Sequence, residues 1–236
     1  MLYLRLLNKT TFFFLVCFLL TGCSKDPKYK INGISNLNLD TYNQLVKELG
    51  VDVQYYNTVQ HFVETDDRKG GIILTGSSTI TIWESVEEDL APLFARNRGI
   101  GGSNLAQIII HGEQLIFYND PQTVIFYIGD NDPFYYNSET FCRYMQLFID
   151  NFKHRLPNVK LVLVSVKPSP SREEKFNYYK TINSFIKGQA DNKQIFFIDI
   201  WSAMYKKNAE QYFQSDMLHL NRKGYELLIE KLKPLL

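Results

Sequence analysis

Five residues in this sequence could together perform chemistry, and they lie far apart in the chain. Ser78 stands in Gly76-Ser77-Ser78-Thr79, Gly102 in Gly101-Gly102-Ser103 and Asn131 in Gly129-Asp130-Asn131-Asp132. Asp216 and His219 stand in Asp216-Met217-Leu218-His219. A hydroxyl attacks a carbonyl well only when a base takes its proton, and an imidazole can be that base. A carboxylate three residues earlier can hold the other ring nitrogen, which completes the roles of a Ser-His-Asp triad. The backbone N–H groups of Ser78 and Gly102 and the side-chain amide of Asn131 supply donors for a developing oxyanion. The reaction such a set can carry is acyl transfer from an ester. Each residue alone has a plainer role: Ser78 as a helix cap, Gly102 in a tight turn, Asn131 in a turn, His219 as a packed helix-start residue.

Elements able to gather these positions can be read from hydropathy patterning. Ile72–Gly76, Thr123–Ile128, Val159–Val166 and Ile195–Ile200 are short, largely apolar runs, which is the pattern of strands buried on both faces. Asn97–Ile100 is a fifth short strand or an extended turn. Between them, helical spacing is read over Ile82–Arg96 (with Glu84, Glu87, Glu88 and Asp89 on its exposed side), Leu105–Phe117, Ser138–Arg155 (capped by Ser138), Arg172–Lys187 and Asn221–Leu232. Leu39–Gly50 and Tyr55–Val63 read as two amphipathic helices ahead of the first strand. Strands that alternate with helices predict an α/β fold, a three-layer sandwich around a central parallel sheet of about five strands. In such folds the site lies beyond the carboxyl ends of the strands. Ser78, Gly102 and Asn131 each follow a strand.

The order Ser, Gly, Asn, Asp-x-x-His across these blocks resembles the SGNH hydrolases, also called GDSL esterases. Their four named residues correspond to Ser78, Gly102, Asn131 and His219. The likeness extends to Trp83, to Asn97-Arg98-Gly99 before the glycine block and to Leu220-Asn221 after the histidine. It implies a flavodoxin-like fold, a serine ester hydrolase acting through an acyl-enzyme, and an oxyanion hole of Ser78, Gly102 and Asn131. It implies no cofactor and no metal. The family's Gly-Asp-Ser is here Gly76-Ser77-Ser78, which leaves two adjacent serines; register with the family block selects Ser78. Ile80 stands where a Gly-x-Ser-x-Gly elbow needs glycine, so the ordinary α/β-hydrolase fold is disfavoured. Expected substrates are short-chain or carbohydrate O-acyl esters. Lipid or thioester hydrolysis is an alternative, for which Phe134-Tyr135-Tyr136 and Lys167–Ser171 could line an apolar groove. A non-catalytic surface binding protein on the same fold is another.

The N-terminus has a different purpose. Arg5 and Lys9 precede an apolar stretch, Thr11–Leu20, of signal-peptide length, and Leu20-Thr21-Gly22-Cys23 follows. This resembles a bacterial lipoprotein signal cleaved before Cys23, with lipidation of that cysteine. The expected organisation is a signal peptide over residues 1–22, a polar tether over 23–38 and one hydrolase domain over 39–236 that begins with a helical extension. By resemblance to known lipoprotein sorting rules, Ser24 after the cysteine favours an outer membrane in a host that has one. The expected location is the cell envelope (outer membrane, periplasm or cell surface), with the membrane engaged through the lipid on Cys23.

Composition narrows the rest. Net charge is +1, so no basic footprint for nucleic acid is present. A chain of 236 residues can bury a full core without staples. Cys142 is the only cysteine after Cys23, which excludes a disulfide framework within the body. It reads as a small hydrophobe packed on a helix. His61, His111 and His154 lack metal-ligand spacing, Asp130 and Asp132 read as turn residues, and Trp201 reads as packing beneath the site.

Overall fold

A computed structural model describes residues 54–205 and 209–236 of the chain. Five parallel strands form one sheet: β1 (Ile72–Gly76), β2 (Ala95–Gly99), β3 (Thr123–Tyr127), β4 (Lys160–Val164) and β5 (Ile195–Ile198), in the spatial order β2-β1-β3-β4-β5. That is a doubly wound order, with its switch point between β1 and β3. Along each central strand alternate side chains enter opposite layers. Ile72, Leu74, Ile125, Tyr127, Val162, Val164 and Ile198 pack with Trp83, Val86, Met204, Leu228 and Leu232 on one face. On the other face Phe126 meets Phe148, their ring centroids 4.5 Å apart, and Phe148 continues to Phe152. Because both faces are covered, the central strands β1, β3 and β4 are largely apolar rather than alternating.

Three predicted helices differ from the structure. Ile82–Arg96 is not continuous: Ser78–Thr81 and Val86–Asp89 are single turns, and Ala95 and Arg96 belong to β2. Pro92 has no N–H to donate and clashes with a preceding helical turn. Asp89, expected on the solvent side, instead accepts from Trp83 Nε1 at 2.7 Å, Ser85 Oγ at 2.7 Å and Arg222 at 2.7 Å. Leu105–Phe117 breaks at His111 into Leu105–Ile110 and Gly112–Leu115. Arg172–Lys187 begins with a 3-10 stretch over Pro170–Lys175, and its regular helix is Phe176–Gly188. The cap of Ser138–Arg155 is Asn137, not Ser138; its side chain accepts from Thr140 N.

Strand β2 has an unusual sequence, Ala-Arg-Asn-Arg-Gly, yet Arg96 and Arg98 are 2% and 3% exposed. An edge strand leaves room for long side chains to find partners beside the sheet. Arg96 donates to the carbonyls of Arg68 and Gly70, and Arg98 pairs with Asp66 at 3.1 Å. Helix 54–65, the second of the two expected N-terminal helices, packs against Gly112–Leu115. The expected helix at 39–50, the tether and the signal segment lie outside the described residues. Among the described residues no helix is long and apolar enough to cross a membrane.

Candidate active site

The site starts with a glycine at the end of β1. Gly76 has φ +135°, and a Cβ there would lie 1.7 Å from the carbonyl oxygen of Tyr127 on β3. Only glycine permits so close a passage. The chain then turns sharply, with Ser77 N donating to Tyr127 O at 3.1 Å. Ser77 is fully buried and its hydroxyl has no partner among the described residues. Ser78, the first residue of the following turn, is half-buried and places Oγ 3.2 Å from His219 Nε2. The two adjacent serines therefore face different surroundings, and only Ser78 reaches the imidazole.

His219 is held by a tightly bonded loop. Phe213 and Leu220 form an antiparallel bridge, Gln214 N donates to His219 O at 2.8 Å, and Met217 takes φ +55°. Asp216 Oδ1 accepts from the N–H groups of Leu218 (2.9 Å) and His219 (3.0 Å), while Oδ2 lies 2.6 Å from His219 Nδ1. Partial burial raises the carboxyl's pKa, but these donors outweigh it and bring Asp216 down to about 2. With Asp216 ionised, Nδ1 carries the ring proton and Nε2 is left as the acceptor facing Ser78. Ser169 Oγ and the Ser171 N–H and hydroxyl donate to the carbonyls of Leu218 and Met217, so Ser169 and Ser171 clamp this loop.

The glycine and asparagine blocks interlock with the serine turn. Ile100 N donates to Gly76 O at 2.8 Å, and Asn131 Nδ2 donates to Ser103 O at 3.0 Å. A primary amide nitrogen carries two hydrogens, so Asn131 keeps one for another acceptor. Gly102 has φ +79°, and a Cβ there would lie 3.0 Å from Tyr55 Oη of helix 54–65. Neither Ser78 N nor Gly102 N donates to a backbone carbonyl among the described residues. Asn97 ties the serine turn to β2: its Nδ2 donates to Ile80 O (2.6 Å) and Trp83 O (3.2 Å). Tyr225 Oη donates to Thr79 O at 2.9 Å and its ring stacks on Trp83 at 5.1 Å, which ties in the helix after His219.

Asp130 and Asp132 are more than turn residues. Asp132 is fully buried; it accepts from Leu105 N at 2.8 Å and from the Tyr136 hydroxyl, and burial raises its pKa to about 7. Asp130 forms a buried ion pair with Lys167. No short-range signal could have found that pair, since 37 residues separate its members. Trp201 packs among Phe176, Tyr179 and Tyr205. Cys142 is unpaired and half-buried on helix 138–155. Phe134 and Tyr135 are exposed, and Arg172 and Lys175 lie over the Phe134 ring, so that loop is cationic as well as aromatic. Among the described residues no three His, Cys, Asp or Glu side chains group as metal ligands. Cys23 lies outside the described residues.

Comparison with known proteins follows the same outline. A platelet activating factor structure from Streptococcus pneumonia superposes with a TM-score of 0.67 at 19% identity, over 83% of this chain and 95% of that one. A GDSL-like lipase from Bacteroides thetaiotaomicron gives 0.62 at 19%, over 77% and 96%. A carbohydrate esterase family 3 protein from Talaromyces cellulolyticus gives 0.54 at 16%, over 71% and 95%. At these identities the likeness speaks to the fold. No curated protein matches the chain by sequence. The model of the GDSL-like Lipase/Acylhydrolase family matches residues 75–227, from the end of β1 through His219 into the closing helix. That match spans well over half of the chain, and the chain belongs to this family of esterases and lipases.

Proposed function

We propose that this chain is a serine ester hydrolase that works through an acyl-enzyme on short-chain or carbohydrate-linked O-acyl esters. The observation that carries the reading is the continuous line from Ser78 Oγ through the imidazole to Asp216, with gaps of 3.2 and 2.6 Å. His219 Nε2 takes the Ser78 proton as Oγ bonds to the ester carbonyl carbon. The carbonyl electron pair moves onto oxygen, where Ser78 N–H, Gly102 N–H and the second N–H of Asn131 meet it. The tetrahedral intermediate collapses, the C–O bond breaks, and His219 returns its proton to the leaving alcohol. Water then repeats the sequence on the acyl-enzyme and releases the acid. Each oxyanion donor contributes about 2.7–4 kcal/mol to such a step.

Two observations support a short or sugar-linked ester. Within Lys167–Ser171, Lys167 is bonded to Asp130 and Ser169 and Ser171 to the histidine loop, and the cavity that Pro168 and Pro170 border is shared with the polar groups Glu173, Glu210 and Gln211. The exposed rings of Phe134 and Tyr135 offer faces on which sugars stack. The carbohydrate esterase and an acetyl esterase among the structural neighbours suit the same reading. The test compares Ser78→Ala and Ser77→Ala on p-nitrophenyl acetate and decanoate, with a fluorophosphonate label mapped by mass spectrometry. Ser78→Ala is expected to abolish turnover and labelling, with acetate favoured in the parent. Full activity in Ser78→Ala, or label on another serine, rejects the mechanism; preference for decanoate rejects the substrate class.

Residues 5–23 support a further part of the reading, attachment to a cell-envelope membrane through lipid on Cys23. Cys23→Ala is expected to release the protein into the soluble fraction of a bacterial host and to abolish incorporation of labelled palmitate. Incorporation unchanged by that substitution would exclude it.

A further inference from the structure

The Lys167–Asp130 pair lies within the site's framework, yet the reaction above does not use it. Asp130 follows β3 and Lys167 follows β4, so neighbouring strands bring them together at the carboxyl edge of the sheet. Their side chains are 3% and 0% exposed. The ammonium donates to Asp130 Oδ2 and to Tyr127 Oη at 3.1 Å, and the Tyr127 hydroxyl donates to the same Oδ2 at 2.8 Å. The main chain of Asp130 is held too: its carbonyl accepts from Tyr179 Oη at 2.9 Å and from Arg172 at 3.4 Å. The next residue is Asn131, whose amide is bonded to Ser103 O.

A buried ion pair is a poor device for stability alone, because well-packed apolar residues often serve as well or better. What it does provide is a fixed geometry and a cancelled charge. We propose that Lys167 is a positioning residue for the oxyanion donor Asn131 and acts through Asp130. This rests on Asn131 serving the oxyanion as described above. Lys167 and Tyr127 fix the side chain of the residue before Asn131, so that one amide hydrogen stays on Ser103 O and the other stays available to the oxyanion. The ammonium also neutralises the carboxylate of the residue next to the oxyanion donor, where an unpaired anion would oppose the developing charge. Both effects act on the transition state more than on the bound ester, so they belong in kcat rather than KM.

The experiment uses the full chain with p-nitrophenyl acetate and the variants Tyr127→Phe, Lys167→Met and Lys167→Met/Asp130→Asn. Asn131→Ala is made in the parent, in Tyr127→Phe and in the double variant. The double variant removes both charges and avoids leaving either one buried alone, and Tyr127→Phe keeps the ring and loses only one hydroxyl. The expected result is a kcat about tenfold lower in the double variant and about threefold lower in Tyr127→Phe, with KM within about twofold. Asn131→Ala should then cost less in either background than in the parent, because the donor it removes is already misplaced. A role in packing alone would shift the thermal midpoint without this coupling. Parental kcat in both Tyr127→Phe and whichever charge variants fold overturns the proposal, as does an undiminished Asn131→Ala loss in those backgrounds. If Ser78→Ala still abolishes turnover, such a result removes the positioning role and leaves the hydrolase reading standing; if Asn131→Ala is silent in the parent, both the donor and its positioning fall.

Discussion

Replacing Asp216 by Asn tests the proposed proton path, because the structure dictates how the amide must sit. Oδ1 of Asp216 accepts two backbone N–H groups, from Leu218 and His219. An asparagine must keep its carbonyl oxygen there, since its NH₂ would otherwise face two donors. The NH₂ then takes the place of Oδ2, 2.6 Å from His219 Nδ1. Donor now meets donor unless the ring changes tautomer, so Nδ1 gives up its proton and Nε2–H faces Ser78. The base can no longer accept the serine proton. In a Ser-His-Asp triad this exchange lowers kcat about 10⁴-fold. The Asp216 side chain is 44% exposed, so water can relieve part of the mismatch. We expect kcat to fall between about 10² and 10⁴-fold, or about 3–5 kcal/mol, with KM and the thermal midpoint near the parent. Asp216→Ala frees the ring to choose its tautomer and should retain more activity per folded molecule than Asp216→Asn. The assay is kcat and KM on p-nitrophenyl acetate beside a thermal melt. More than a tenth of parental kcat in Asp216→Asn at parental stability, or an alanine variant worse than the asparagine, would refute this account of the base.

Other positions make independent demands on the same framework. Gly102→Ala places a methyl 3.0 Å from Tyr55 Oη at a φ of +79°, so kcat should fall about tenfold or more. Tyr55→Phe should restore part of that loss by removing the contact while the backbone strain remains; no restoration would argue that Tyr55 does not crowd Gly102. Asn97→Ala leaves the carbonyls of Ile80 and Trp83 without their donor and should cost about 1–3 kcal/mol by chemical denaturation. A loss below about 0.5 kcal/mol would mean the serine turn does not depend on it. His111 is buried, and burial lowers its pKa from 6.5 to about 4. The folded state thus prefers the neutral ring, so the His111 contribution is complete above pH 6.5 and is lost as pH falls towards 4. That contribution is about 3 kcal/mol, and His111→Gln should flatten the acid limb of stability against pH; an unchanged limb would contradict it.

Much of the α/β order was legible because four of the five strands are largely apolar runs. Strand β2 was the hardest to read, since an edge strand need not be apolar: Arg96 and Arg98 pay their desolvation with partners in residues 66–70, which no local pattern reveals. The long helix read over Ile82–Arg96 failed for a related reason. Its acids looked like a solvated face, whereas Asp89 is engaged by Trp83, Ser85 and an arginine 133 residues away.

The candidate site divides in the same way. Residue type and order in the chain, read with the family resemblance, pick out Ser78, Gly102, Asn131, Asp216 and His219 as candidates for the nucleophile, base and oxyanion donors. Asp216 and His219 are close enough in sequence for a local turn to join them. The choice between Ser77 and Ser78 was not local. It depends on Gly76 crowding the Tyr127 carbonyl, which turns one hydroxyl inward and the other towards an imidazole 141 residues further on. Likewise Lys167 and Asp130 are unremarkable along the chain and become a buried pair only because β3 and β4 are neighbours. Side-chain identity and hydropathy are properties of the chain, so the sequence alone could name the candidate groups and the alternation of elements. Which groups share a low-dielectric space, and which way each one points, are properties of packing, and those only the tertiary structure decided.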